Sequence, residues 1–433
     1  MPKDKENQAE KHVYIPPETD LNGDTKLIRL EASLREMADF RFNTITRFPE
    51  IRYKNSKAWK RLDDFRLNSM VRALKKRGTP YAFKTRVSEL LESDFSEKVN
   101  PIKAYFDNLK PVSDDPIGRM TSTITLAGDP NMKDQQDEMF RTFFTKWLVG
   151  AVANIYITDK CANQQCFIIA GPQGTFKSTW IRNLCPKALS DYYIEGSLDP
   201  DNKDSILATA TNFIFNLDDY FAGITARKIN EFKGLLTKNT VKIRRAYARY
   251  SEELSKVCSF IASSNEAQFL HDPTGSRRFL PFEVQAIDIN AAQAISIDDL
   301  WSQASQLFKS GYTYWLSKED QDRLNEYNSQ FEVQSNEYEV LVTYMQPPKE
   351  GELPEADLTN AEILAHLQEK VSLKLSAKKV GEALRKAGFP RYQKRRGGGR
   401  SWVYGINYAD EADIYTGRQP SMPGSSLESE EGA

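Results

Sequence analysis

The sequence predicts an α/β protein in which a P-loop sheet domain lies between a helical N-terminal region and a C-terminal winged helix. Three observations predict it. The apolar run CFIIA leads into the Gly-rich turn GPQGTFKS and then into the helix-compatible TWIRNL. Two further apolar runs follow, one ending in Asp218-Asp219 and one in Asn265, the alternation expected of a sheet interleaved with helices. Near the C-terminus, two helical stretches precede a basic hairpin pattern.

Bulk properties set the bounds. With 433 residues there is room for two or three domains, and 59 basic against 60 acidic side chains leave no net field to indicate a partner. No apolar run approaches the roughly 18 residues of a membrane span, and the polar start MPKDKENQAEKH lacks a signal-peptide core. Four cysteines without CxxC spacing and three scattered histidines argue against a disulfide framework or a zinc site. A reduced, cytoplasmic protein without membrane attachment is expected.

Texture divides the chain. Residues 1–26 read as a disordered polar tail and 27–150 as a mainly helical region. Residues 151–345 carry the P-loop domain and a helical extension. A Pro/Glu-rich linker, 346–356, leads to a winged-helix unit at 357–408, and 409–433 reads as a disordered acidic tail.

Gly171, Pro172, Gln173, Gly174, Thr175, Phe176, Lys177 and Ser178 form the phosphate turn, with Thr179 opening the helix. Gly171 and Gly174 let the backbone curl so that its N–H groups face an anion. The helix start adds its own N–H groups. Lys177 supplies a cation for the β- and γ-phosphates of ATP, and Ser178 a hydroxyl for Mg²⁺. Phe176 departs from the motif, because glycine usually stands there. Residues 212–219 form an apolar strand, expected beside the P-loop strand. Its Asp218 would hold Mg²⁺ through water, and Asp219, shorter than the glutamate usual there, would lie near the attacking water. Taken alone, two acids after a strand also fit a solvated turn. Asn265 ends a third strand and can orient the lytic water. Arg277 and Arg278, beside a Gly-Ser turn, suit a role across a subunit boundary on transition-state charge; an ordinary surface pair is the alternative.

GPQGTFKSTW, NLDDY, FKGLLTKNTVKIRRAYARY, ASSN and DPTGSRRFLPFEV together resemble the virulence-associated protein E family of phage and genomic-island proteins. The resemblance spans roughly residues 45–330, with the cluster around Arg277 as its most specific mark. It implies an AAA+-like sheet, superfamily 3-like helicase activity in mobile-element replication, and ATP held between subunits of a homo-oligomeric, hexamer-like ring. No primase module is visible, so a separate primase is an expected partner.

Three basic segments are candidates for DNA, single-stranded or forked. Between Lys238 and Tyr250 lie five cations, among them Lys242, Arg244, Arg245 and Arg249, with Tyr247 and Tyr250 available for stacking. A solvated charged hairpin would look alike. In the C-terminal unit, Thr359 and Glu362 form a capping box and Ser376 caps a second helix that Gly388 ends. Two strands then flank Gly397–Gly399. Lys374 to Arg400 holds ten Lys/Arg against Glu382 alone. Lys378, Lys379, Arg385, Lys394, Arg395, Arg396 and Arg400 are the residues expected to meet phosphates or bases, although winged helices also dock proteins. Arg52 to Arg86, with twelve basic and two acidic residues, reads either as auxiliary DNA contact or as a solvated helical face. A nucleotide-gated DNA-binding switch with little turnover is the rival to the motor, favoured by Phe176 and Asp219.

Overall fold

The computed structural model describes residues 21–221, 224–243, 251–266, 268–270, 276–332, 334–349, 351–397 and 399–409. They fall into two compact units, bounded as Met1–Ala267 with Gly275–Glu326, and Gln268–Thr274 with Tyr327–Ala433.

The first unit begins with helix Leu21–Met37, which starts inside the span expected to be a loose tail. Leu30 and Leu34, one helical turn apart, are fully buried and anchor it in a local core. The region up to residue 150 is mainly helical, as expected, but it also holds a small sheet that the helical texture hides. Strands β1 (Ala38–Asn43), β2 (Phe48–Tyr53), β3 (Lys60–Arg61) and β4 (Glu97–Val99) form a sheet in the order β3-β2-β1-β4. β1 and β2 are an antiparallel hairpin closed at Asn43↔Phe48. The missed signal was alternation: Phe40 and Phe42 are separated by Arg41, which pairs across the strands with Glu50 at 2.6 Å. Asn43 Oδ1 accepts from the amides of Ile45 and Thr46 at 2.9 and 3.0 Å, tying down the turn.

The central sheet is built from β5 (Ile124–Leu126), β6 (Cys166–Ala170), β7 (Tyr193–Glu195) and β8 (Ile214–Asp218), and from two later strands. β9 (Thr240–Ile243) and β10 (Glu252–Ser255) pair antiparallel with each other, apart from it. β11 (Ser259–Ser264) and β12 (Phe279–Ile287) complete the sheet, in the order β5-β12-β6-β11-β8-β7. β5 runs antiparallel to β12, and every other neighbouring pair is parallel. β6 and β11 are buried along their whole lengths, which explains their unbroken apolar character. Helix Lys133–Tyr156 covers them with aromatic side chains: Phe140 meets Phe282 edge-on at 5.0 Å and Phe144 lies 5.4 Å from both Phe167 and Trp180. Trp147 Nε1 donates to Phe260 O at 2.8 Å, so its one polar atom is satisfied. Among the described residues, no helix is long and apolar enough to cross a membrane.

In the second unit, helix Asn336–Tyr344 is followed by β13 (Met345–Gln346), β14 (Ala356–Leu358), helices Asn360–Lys370 and Ala377–Lys386, and the hairpin β15 (Arg391–Arg396) and β16 (Gly399–Tyr408). β14 and β15 both pair antiparallel with β16. Leu341 and Met345 share a core with Ile363, Leu367, Val380 and Leu384. The unit therefore begins before the expected linker, and the helix at 336–344 was assigned to the wrong side of it.

Two caps behave differently. Thr359 Oγ1 accepts from Glu362 N at 3.3 Å while Glu362 Oε2 accepts from Thr359 N at 2.7 Å, the reciprocal box expected. Ser376 makes no side-chain cap bond; instead its amide donates to Glu337 Oε1 at 3.2 Å. Thr359→Ala should cost the unit about 1 kcal/mol, read as a lower midpoint in thermal unfolding. An equivalent Ser376→Ala change should leave that midpoint in place.

Candidate functional site

The C-terminal ends of β6, β11 and β8 bring the phosphate-turn residues and the acids together. Gly171 follows β6 with φ 149°, Gly174 has φ 86° and Phe176 has φ 64°. Helix Lys177–Asn183 starts immediately afterwards without a side-chain cap, so its first amides lack intrahelical partners. Phe176 accepts the left-handed geometry that glycine takes more easily, at roughly 1 kcal/mol or more, and its ring is 54% exposed. Gln173 and Gly174 are exposed as well, which leaves the turn open to solvent.

Gly171 is required by space as well as by conformation. A Cβ there would stand 2.4 Å from Val284 O on β12. Gly171→Ala should therefore destabilise the first unit by about 2 kcal/mol or more, seen as a shifted urea midpoint. An unchanged midpoint would mean that the two strands do not approach this closely.

The Lys177 ammonium is buried. It donates to Gly171 O and Pro172 O at 2.8 Å each and to Asn265 Oδ1 at 3.0 Å. Burial pulls it below its ordinary pKa, and the charges of Asp219 and Asp218 oppose that shift. Ser178 Oγ donates to Asp218 Oδ1 at 2.8 Å. Ser263 Oγ donates to the same oxygen. Ser263 was not singled out in the sequence; its signal was the small-hydroxyl pair ending the third strand. Asn265 Nδ2 donates to both oxygens of Asp219, at 2.9 and 3.0 Å. Asn265 thus links the lysine to the second acid. Asp219 itself has φ 47°, and its amide donates to Ser263 O at 3.2 Å.

One expectation about placement is corrected. β8 does not lie beside β6, because β11 stands between them: Ser264 pairs with Ala170 on one side and Ser263 with Asp218 on the other. The Ser178 hydroxyl and the Asp218 carboxylate still meet because both point off the same sheet end. Their hard oxygens suit Mg²⁺, which takes few protein ligands and keeps its remaining positions for water and phosphate.

Arg277 and Arg278 are not part of this cluster. Phe279, the next residue, pairs with Cys166 at the start of β6, whereas the Gly171 turn follows the strand's end. A rise of about 3.3 Å per residue puts roughly 13 Å of strand between the two ends. Arg277 Nη1 donates to Gln321 Oε1 at 3.4 Å. Arg278 Nε is buried without a hydrogen-bond partner. Burial, and then the charge of Arg277, hold the Arg278 guanidinium below its ordinary pKa. Both arginines line a cleft of about 280 Å³ that also includes Lys160, Gln165 and Trp315.

Of the basic hairpin in the first unit, Lys242 is described, and its ammonium lies 3.8 Å from Glu253. Arg244, Arg245, Tyr247 and Arg249 lie outside the described residues, as do the tails at 1–20 and 410–433. In the second unit several expected phosphate contacts are already engaged. Lys394 is paired with Asp357. Arg396 lies 2.8 Å from Glu362, and Lys379 lies 3.9 Å from Glu337. Lys378 is 4.0 Å from Glu382, on an exposed helix face. The side chains of Arg385, Arg395 and Arg400 have no ion-pair or hydrogen-bond partner among the described residues, and the three residues are exposed.

Residues 121–333 match the family described as virulence-associated protein E-like domain. The chain is also similar to solved apo structures of the NrS-1 C-terminal region. One has a TM-score of 0.48 and 12% identity, covering 88% of this chain and 99% of that chain. An A-form apo structure of the same region has a TM-score of 0.46 and 12% identity, covering 87% and 98%. Similarity at that level establishes neither fold nor function. Comparison with curated proteins gives no match.

Proposed function

With residues 121–333 forming a virulence-associated protein E-like domain, we propose that the chain is an ATP- and Mg²⁺-dependent, helicase-like motor acting on DNA in the replication of a mobile element. The observation that carries this reading is the meeting of Lys177, Ser178, Asp218 and Asp219 at one end of the sheet, with Ser178 Oγ 2.8 Å from Asp218. The strand order β12-β6-β11-β8-β7, with the Gly-rich turn after β6 and the acids after β8, supports an AAA+-like P-loop domain.

When bound, MgATP would supply the scissile phosphoanhydride and a metal to neutralise it. Lys177 turns from the carbonyls of Gly171 and Pro172 towards phosphate oxygens. Ser178 and Asp218 hold the metal, with Ser263 keeping the Asp218 carboxylate oriented. Asp219 and Asn265 position the attacking water. Arg277 and Arg278, at the opposite end of the strands, act on a neighbouring subunit's site in a homo-oligomer, for which a closed ring, a hexamer among the options, is one arrangement. The helix–strand–strand–helix–helix–hairpin order of the second unit supports a winged helix that contacts DNA through Lys378, Arg385, Arg395 and Arg400. A separate primase would supply the priming step.

A nucleotide-gated DNA-binding switch remains the second reading. It is favoured by the grip of Asn265 on Asp219, which holds the shorter acid in a left-handed conformation. Steady-state ATP turnover with and without single-stranded DNA separates the two. DNA-stimulated turnover supports the motor; tight ATP binding with no turnover supports the switch.

A further inference from the structure

The β15–β16 hairpin sorts its side chains by register. Arg391 faces Tyr404, Gln393 faces Trp402 and Arg395 faces Arg400, so these residues share one face. Further along that face of β16, Tyr404 and Ile406 are buried in the unit's core. Towards the tip the same face continues past the core and is uncovered. Trp402 is 51% exposed there, with the Arg391 guanidinium 4.7 Å from its ring centroid.

Two features of this face work against folding. A large aromatic left half in water forgoes burial worth about 1 kcal/mol or more. Arg395 and Arg400 stand directly opposite each other, and like charges in a cross-strand pair repel. The other face of the hairpin is arranged differently, since Lys394 and Arg396 are paired with Asp357 and Glu362. The uncompensated charge is therefore confined to the face that carries the indole. A flat π-surface beside unpaired guanidinium groups is the donor set that takes a nucleobase by stacking and the flanking phosphates by charge. A base inside a duplex is already stacked and unavailable to Trp402, so the surface discriminates for unpaired strands.

We propose that this face of the hairpin is a single-strand platform: Arg391 lies over one face of the indole, Trp402 stacks an unpaired base on its other face, and Arg395 and Arg400 take the neighbouring phosphates. The proposal deepens the nucleic-acid reading of the second unit and rests on it. It gives that unit a way to read the unpaired arm of a fork while the Ala377–Lys386 helix meets the duplex.

The test uses the full chain, with binding of labelled oligodeoxythymidine and of a blunt hairpin duplex followed by fluorescence anisotropy. Trp402→Ala should weaken oligodeoxythymidine binding on the order of tenfold and change duplex binding by less than about twofold. Trp402→Phe should retain most of the single-strand affinity. Arg395→Ala with Arg400→Ala should weaken both ligands and flatten the salt dependence by roughly one phosphate contact for each arginine. An unchanged oligodeoxythymidine affinity in Trp402→Ala overturns the platform; the nucleic-acid reading survives if Lys378→Ala with Arg385→Ala still weakens duplex binding. Equal loss for both ligands, not rescued by phenylalanine, assigns Trp402 to the fold and also overturns it. If the wild-type chain binds neither ligand, the nucleic-acid reading itself fails, and the exposed indole belongs to a protein interface.

Discussion

Lys177→Ala should abolish ATP turnover, an expected loss of about a hundredfold to a thousandfold or more, the range seen when one charge stabiliser is taken from a low-dielectric site. The Lys177 ammonium is 6% exposed and held between two turn carbonyls and Asn265. It is already desolvated and needs only to exchange carbonyl oxygens for phosphate oxygens. Alanine removes the only cation in the turn from Gly171 to Ser178. It also leaves Gly171 O and Pro172 O without that donor, so Lys177→Met is the companion variant, keeping the volume of the stem while removing the charge. Both should melt within a few degrees of wild type and should bind duplex DNA as the wild type does. The measurement is phosphate release at saturating ATP and Mg²⁺, paired with anisotropy of labelled DNA. Turnover near wild type in either variant would remove the Gly171 turn from the chemistry. Joint loss of turnover and DNA binding would deny that the two units carry separable functions.

The second large effect concerns Arg278. Its guanidinium precedes β12, which starts level with the first residue of β6, so it does not share the sheet end that holds Lys177 and Asp218. On the proposed reading, a residue so placed would reach phosphate from another copy. Arg278→Ala should lower turnover by about a thousandfold, the lower end for a transition-state arginine supplied across an interface. Arg277→Ala should have an effect of similar sign. Mixing inactive Lys177→Ala chains with inactive Arg278→Ala chains should then restore part of the activity. Some interfaces in the mixed assembly will pair an intact turn with an intact arginine. The readout is phosphate release as the two variants are titrated together at constant total protein. Near-normal turnover in Arg278→Ala alone, or no recovery on mixing under conditions where the chains associate, would refute action between copies.

How much of this was legible in the sequence depends on how local each feature is. The strand, turn and helix start around Gly171 to Ser178 could be read because they are contiguous and depend on local backbone angles. The capping box at Thr359 and Glu362 was legible for the same reason, as was the Gly-rich tip between β15 and β16. Asp218, Asp219 and Asn265 were found as strand ends, yet their arrangement was misjudged. The sequence order of the strands does not reveal that β11 inserts between β6 and β8. Ser263 was missed because a serine at a strand end acquires meaning only when a carboxylate from another strand meets it.

The N-terminal sheet shows the same limit from the other side. ADFRFN and FPEIRY alternate as strands should, but they are short and lie beside long helical patterns such as that of Asp64–Lys76, so the helical texture dominated. In the basic C-terminal segment, composition counted charge and could not say where it was already neutralised. Asp357 is the clearest case. Its hydrogen bonds from Lys394 and Tyr392 hold its carboxyl below the usual range, which commits Lys394 within the fold.

By itself, then, the amino-acid order determined the geometry of the Gly-rich turn, the helix starts and the chemical types at the strand ends, because these depend on torsions and side chains within a few residues of one another. The tertiary structure alone decided which strands are neighbours, which cations are left uncompensated, and which end of the sheet each charged group occupies. Those outcomes depend on burial shared between segments far apart in the chain. Hydrophobic packing rewards many pairings almost equally until the whole sheet is closed.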